Sequence, residues 1–187
     1  MKNFINNELD SHQKLVGLVK KEMQNSIIEA CEIALDVINS GNKIIFCGNG
    51  GSAADSQHLA AEFVGRYKNE RRGLPSIALT TDSSILTAVG NDYSYDYIFE
   101  RQIEALANEG DLLIGISTSG NSKNVINAIK KAKQLKCIAI GFTGNNGGLM
   151  KNICDINLVV PSSITARIQE VHILIGHIMC KYIDEKI

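Results

Sequence analysis

The sequence has almost no net charge: 19 lysines and arginines oppose 20 aspartates and glutamates, for a formal charge of −1. That leaves no broad positive field for sequence-independent nucleic-acid binding. It also lacks a long apolar run; none approaches the roughly 20 residues needed to cross a bilayer. The opening residues Met1–Glu8 hold no apolar signal region. A soluble, cytoplasmic protein without membrane or nucleic-acid partners is expected. No C-x-x-C pair occurs among the five cysteines, at 31, 47, 137, 154 and 180. Cys47 and Cys137 lie inside apolar runs, where a free thiol behaves as a small hydrophobe, so reduced, buried cysteines are expected. Low-complexity segments and flexible linkers are missing too. The small basic cluster Lys68, Arg71 and Arg72 is interrupted by Glu70 and reads as a solvated loop or a subunit contact.

The 187 residues suit one compact domain. From about Phe4 to Ser40 apolar residues recur at helical spacing, with Leu15, Leu18 and Val19 in one helix and Ile27, Cys31, Ala34 and Ile38 in a second. Gly41-Asn42 supplies a stop. Short apolar runs follow at Ile44–Cys47, Ser76–Leu79, Leu112–Ile116, Cys137–Gly141 and Ile156–Val160. Helical stretches separate them near Ala53–Tyr67, Asp96–Asn108, Asn121–Leu135 and Thr165–Ile183. Alternating strands and helices predict an α/β fold with a mostly parallel sheet, covered on both faces. The two leading helices are not crossovers. Burial against a partner subunit is expected of them, with packing on the same chain as the alternative.

Three strand ends run into Gly/Asn turns, at Gly48–Ser52, Ser119–Ser122 and Gly144–Gly148. All three fall at the carboxyl edge of such a sheet, where ligands of open α/β folds bind. The first turn, Gly48-Asn49-Gly50-Gly51-Ser52, opens a helix and offers backbone N–H groups and a positive dipole end to an anion. His58 and Glu62 then project from one face of that helix at i and i+4. The second turn belongs to Gly115-Ile116-Ser117-Thr118-Ser119-Gly120-Asn121-Ser122. Its four hydroxyls can donate to phosphate oxygens, or simply form a turn with Ser119 or Asn121 as helix cap. Neither turn is a Walker motif or a G-x-G-x-x-G fingerprint, so a sugar phosphate fits better than a nucleotide.

The last helix carries Gln169, His172, Gly176 and His177. Gln169 and His177 stand roughly 12 Å apart along it and can reach one small ligand, with Gly176 leaving room; His172 faces elsewhere. Asn91-Asp92, in a turn-like stretch, can grip sugar hydroxyls.

These blocks together resemble the phosphoheptose isomerases, sugar-isomerase (SIS) fold proteins, over nearly the whole chain. The matching blocks are Cys47–Asp55 with His58 and Glu62, Ala78–Asp82, Gly90–Tyr93, Gly115–Ser122, and Ala166–Glu170 with His172 and His177. The resemblance implies a three-layer sandwich, a five-stranded parallel sheet flanked by helices, in a single SIS domain over residues 1–187. Residues 1–40 would be a helical oligomerisation segment joining four subunits, and 41–187 the α/β core. It implies phosphate binding by Ser52, Ser117, Thr118, Ser119 and Ser122, and sugar binding by Asn49, Gly50, Gly51, Asn91 and Asp92. Glu62 would be general base and His177 general acid. His58, Glu62, Gln169 and His177 look like the family's zinc ligands, one ion per subunit. The implied reaction converts sedoheptulose 7-phosphate to D-glycero-D-manno-heptose 7-phosphate, the first step of ADP/GDP-heptose precursor synthesis for surface glycans such as lipopolysaccharide or capsule. The alternative is a non-catalytic SIS protein that binds a sugar phosphate or a replication-initiator partner.

Overall fold

Ile44–Gly48 (β1), Ser76–Ala78 (β2), Leu112–Ile116 (β3), Ile138–Thr143 (β4) and Ile156–Val159 (β5) pair into one all-parallel sheet in the order β2-β1-β3-β4-β5. The structure, a computed structural model, describes all 187 residues. β1 and β3 are buried at every position, which accounts for their unbroken apolar sequence. Successive side chains point to opposite faces. Ile44, Phe46, Ile114 and Phe142 therefore join one core, and Ile45, Cys47, Leu113 and Ala139 the other.

Four helices cover the first face: Lys2–Glu22 (α1), Gln24–Asn39 (α2), Gly51–Val64 (α3) and Thr165–Asp184 (α7). Ser83–Asp92 (α4), Glu100–Leu106 (α5) and Lys123–Gln134 (α6) lie on the second. The result is the expected three-layer sandwich. On α6, Val125 and Ile129 sit so close to Gly115 that a Cβ there would meet Val125 Cγ1 at 2.8 Å; the strand glycine lets the helix lie against the sheet.

The leading helices do pack on their own chain. α2 buries Ile27, Ala30, Cys31, Ala34, Val37 and Ile38, and α1 buries Leu15 and Val19. His12 Nδ1 lies 2.6 Å from Glu170 Oε2, and Arg167 donates to the Glu8 carbonyl at 2.8 Å, tying α1 to α7. Phe4, Ile5 and Leu9 at the start of α1 stay exposed. No helix is long and apolar enough to cross a membrane.

Several expectations need correction. Asn91 and Asp92, expected in a turn, end a helix that runs from Ser83 to Asp92. Asp82 Oδ1 caps it by accepting from Ile85 N at 2.9 Å, and Leu86 and Val89 pack onto the second core. That burial outweighs the breaker tendency of Gly90, Asn91 and Asp92. The helix expected over Asp96–Asn108 is a 3₁₀ turn at Tyr95–Tyr97 followed by the shorter α5. The basic cluster is not uniformly solvated: Arg71 is buried in an ion pair with Asp184. All five cysteines are free, four of them buried. Burial pushes the Cys31 thiol up to about 11 and those of Cys154 and Cys180 to about 12, which makes them unreactive.

His172 fixes the seat of α7 on the sheet. It is fully buried, and its Nε2–H donates to the Thr143 carbonyl at 3.0 Å. Its Nδ1 is buried without a protein partner. Burial pushes its pKa from 6.5 down to about 4, against the opposing pull of the Thr143 bond. The unfolded chain therefore binds a proton here, below pH 6.5, that the folded chain refuses down to about pH 4. This contribution to stability is whole above the unfolded pKa and is lost progressively as pH falls toward the folded one. Between pH 7 and pH 5 it removes about 2 kcal/mol. Urea unfolding at both pH values should show that loss in the wild type and its absence in His172→Gln, which keeps a donor for Thr143. An unchanged loss in the variant would refute the assignment.

Candidate active site

The strand order reverses between β1 and β3, so the loops leaving these two strands diverge and open a crevice. Both sequence motifs lie there. Gly50 turns the first loop at φ +58°, a left-handed conformation that favours glycine. Ser52 is buried beneath this turn, its Cβ backed closely onto Gly48. In the second loop Ser117 Oγ lies 2.9 Å from Ser122 Oγ and 3.4 Å from Ser119 Oγ. Three hydroxyls thus converge at the start of α6. The residue at the cap position is Ser122, not Ser119 or Asn121. Thr118 is half-buried beside them, its carbonyl accepting from Asn145 Nδ2 at 3.1 Å. A polar cavity of about 650 Å³ adjoins this loop, lined by Ser119, Asn121, Asn145, Asn146, Ser162 and Ser163.

A paired amide bridges the crevice. Asn49 Nδ2 donates to Asn124 Oδ1 at 2.9 Å, and Asn124 Nδ2 returns a bond to Asn49 Oδ1 at 2.8 Å. Tyr95 OH also donates to Asn49 Oδ1, at 3.0 Å. Most of the Asn49 side chain is therefore committed to the protein, with one N–H left for a ligand. Sequence reasoning missed Asn124 and Tyr95. Asn124 stands 75 residues from its partner, and no local pattern marks such a pairing.

The proton-transfer candidates come from α3 and α7. His58 Nε2 lies 2.9 Å from His177 Nε2 and 3.5 Å from Glu62 Oε1. The Glu62 side chain is only 23% exposed and that of His58 50%. The Tyr67 ring stands 5.8 Å from that of His177. Asp55, one turn before His58, has an oxygen buried without a partner; burial pushes its carboxyl above the ordinary range, while His58 pulls it back.

Two glycines allow the helices this close. A Cβ on Gly176 would stand 2.5 Å from Leu59 Cδ2, and one on Gly51 would stand 1.8 Å from Gln169 Nε2. Gln169 is thus seated against the Gly-Gly-Ser turn. Asn91 and Asp92 are not drawn into this group. They are exposed at the end of α4, with Asn91 Nδ2 donating to Asp92 Oδ1 at 2.9 Å.

Two imidazoles and a carboxylate suit zinc by donor chemistry. As they stand, no three His, Cys, Asp or Glu side chains are arranged to hold an ion. The histidines instead hydrogen-bond directly, slightly closer than the roughly 3.3 Å expected of two nitrogens sharing a tetrahedral zinc.

Residues 9–144 match the SIS domain family. The phosphoheptose isomerase of Aliarcobacter butzleri (strain RM4018) is 60% identical over 187 residues, covering 100% of this chain and 99% of that protein. The chain belongs to the phosphoheptose isomerase family. Phosphoheptose isomerase 1 of Campylobacter jejuni subsp. jejuni is 54% identical over 185 residues, 99% of each chain. Two solved phosphoheptose isomerases share the fold. The one from Neisseria gonorrhoeae has a TM-score of 0.93 at 42% identity, over 98% of both chains. The one from Francisella tularensis has a TM-score of 0.95 at 38% identity, over 98% of this chain and 97% of that one. As a phosphoheptose isomerase family member the chain is an enzyme, an aldose–ketose isomerase.

In this phosphoheptose isomerase fold the approach of α3 to α7 can be tested directly. Gly176→Ala should cost about 1–3 kcal/mol by overpacking, read from the urea midpoint. Gly176→Ala combined with Leu59→Ala should cost less than the sum of the two changes. Strict additivity would refute the contact.

Proposed function

We propose that the chain converts sedoheptulose 7-phosphate to D-glycero-D-manno-heptose 7-phosphate through an enediol, with Glu62 as base and His177 as acid. The observation that carries this reading is the meeting of the Glu62 carboxylate and the His177 imidazole around His58. Glu62 removes a proton from C1 of the ketose while His177 gives one to the C2 carbonyl oxygen. The enediol then receives the proton back at C2 as the C1 hydroxyl loses its own, leaving the aldose. Each such proton transfer contributes ~10²–10⁴-fold.

The phosphate is held by Ser52, Ser117, Thr118, Ser119 and Ser122, aided by the positive end of α6. Asn49, Gly50, Gly51, Asn91, Asp92 and Gln169 line the sugar. His58, Glu62, Gln169 and His177 would hold one zinc ion per subunit. Zinc bound there would polarise the carbonyl; a carboxylate shared with it is a weaker base.

We further propose one SIS domain over the whole chain, assembled as a homotetramer through residues 1–40 with active sites between subunits. The exposed Phe4, Ile5 and Leu9 support this. So does an apolar groove of about 280 Å³ that includes Val16, Ile28 and Ile178. The reaction would run in the cytoplasm and supply heptose precursors for surface glycans such as lipopolysaccharide or capsule.

Incubation with sedoheptulose 7-phosphate should yield the aldose. Glu62→Gln and His177→Gln should each lower turnover at least ~10²-fold. Near-normal turnover in Glu62→Gln would remove the base assignment. Binding of the sugar phosphate without any turnover in the wild type would favour a non-catalytic role. Full activity in chelated, metal-free protein would remove zinc from the chemistry, and a monomer on sizing at micromolar concentration would remove the tetramer.

A further inference from the structure

Arg71 and Asp184 form an ion pair that the proposed chemistry leaves unused. Their side chains are 6% and 1% exposed, with Arg71 Nε donating to Asp184 Oδ1 at 2.8 Å. Asp184 Oδ2 accepts from the backbone N–H of Asn69 at 2.7 Å and of Lys68 at 3.1 Å. Asn69 Nδ2 donates to the Asp184 carbonyl at 3.0 Å. Burial alone would push the Asp184 carboxyl up; the Asn69 N–H, the Arg71 guanidinium and the Lys68 N–H together hold it below the ordinary range.

Arg71 directs its other donors at main-chain carbonyls. Nη2 bonds Glu62 O at 3.0 Å, and Nη1 bonds Phe63 O and Arg72 O, each at 3.0 Å. The first two belong to the last turn of α3, whose carbonyls have no helical N–H partner. A rigid fork of five donors suits that task; a lysine does not.

A buried ion pair is weak evidence for added stability, because desolvation offsets most of the attraction. The geometry it imposes is more telling. Asp184 stands seven residues, about two turns, beyond His177, so both face α3. Arg71 grips the carbonyl of Glu62 itself. The intervening segment carries Tyr67, whose ring lies against His177. One buried pair therefore fixes the main chain of Glu62, the far end of the His177 helix, and a neighbour of the His177 ring.

We infer that Arg71 and Asp184 are positioning residues that lock the ends of α3 and α7 together and so set the Glu62-to-His177 geometry. This rests on the reading of Glu62 and His177 as base and acid.

The test compares wild type, Glu62→Gln, Arg71→Lys, Asp184→Asn and the Arg71→Lys/Asp184→Asn double variant as full-length protein. Arg71→Lys keeps the charge and loses the fork. Its kcat should fall about 10²-fold, the effect of a misplacement near 1 Å, with KM changed less than about threefold. Asp184→Asn should lower kcat in the same manner, which keeps the test valid if Arg71→Lys fails to fold. The double variant should be no slower than Arg71→Lys alone, because both changes undo one lock. In the Glu62→Gln background, calorimetry should show Arg71→Lys binding sedoheptulose 7-phosphate with unchanged affinity. A folded Arg71→Lys or Asp184→Asn enzyme with wild-type kcat, or losses confined to KM, would overturn the proposal while leaving the base assignment intact. Full turnover in Glu62→Gln would overturn the base assignment, and the proposal with it.

Discussion

How closely α3 and α7 approach governs whether His58, Glu62 and His177 meet. One helix follows the first strand and the other closes the chain, so their meeting is entirely tertiary. Two missing Cβ atoms permit it: Gly176 accepts Leu59, and Gly51 accepts the Gln169 amide. Tight contact brings His58 and His177 to hydrogen-bonding distance, with Glu62 beside them. A methyl group at either glycine would push the two helices apart and separate these side chains. Dispersion is short-ranged enough that a gap below an ångström forfeits much of the attraction, so the glycines also serve the packing of the two helices.

The serine-lined crevice has a different origin. Parallel strands put every βα loop on one edge, and the reversal of order between β1 and β3 keeps their loops from closing over each other. The crevice is spanned by the Asn49–Asn124 amide pair, which couples the Gly-Gly-Ser turn to the start of α6. Beyond it Ser117, Ser119 and Ser122 bring their hydroxyls together. Hydroxyls and helix-start amides are the donors that a phosphate takes without a fixed positive charge beside it.

Much of this is readable in the chain. The central strands β1 and β3 were legible because strands buried on both faces are apolar without interruption, and the ends of all five fell within a few residues of expectation. The Gly-Gly-Ser turn, the serine loop and the His58–Glu62 pair were legible because each is local. α4 was not, because Gly90, Asn91 and Asp92 carry turn chemistry and the packing of Leu86 and Val89 against the second core overrides it. Arg71 was hidden by its company. Lys68, Glu70 and Arg72 are exposed, and only the return of α7 buries the Arg71 guanidinium among them.

Local pattern was therefore enough for the α/β class, the parallel sheet, the carboxyl-edge loops and the residue types able to move a proton or hold a phosphate. Those properties follow from periodicity, turn stereochemistry and side-chain functional groups, which act over a few residues. The fold alone decided that His177 meets His58 across 119 residues, that Asn124 rather than solvent holds Asn49, and that Arg71 grips the end of α3. Such pairings arise from helices and strands packing at distances where sequence separation carries no information.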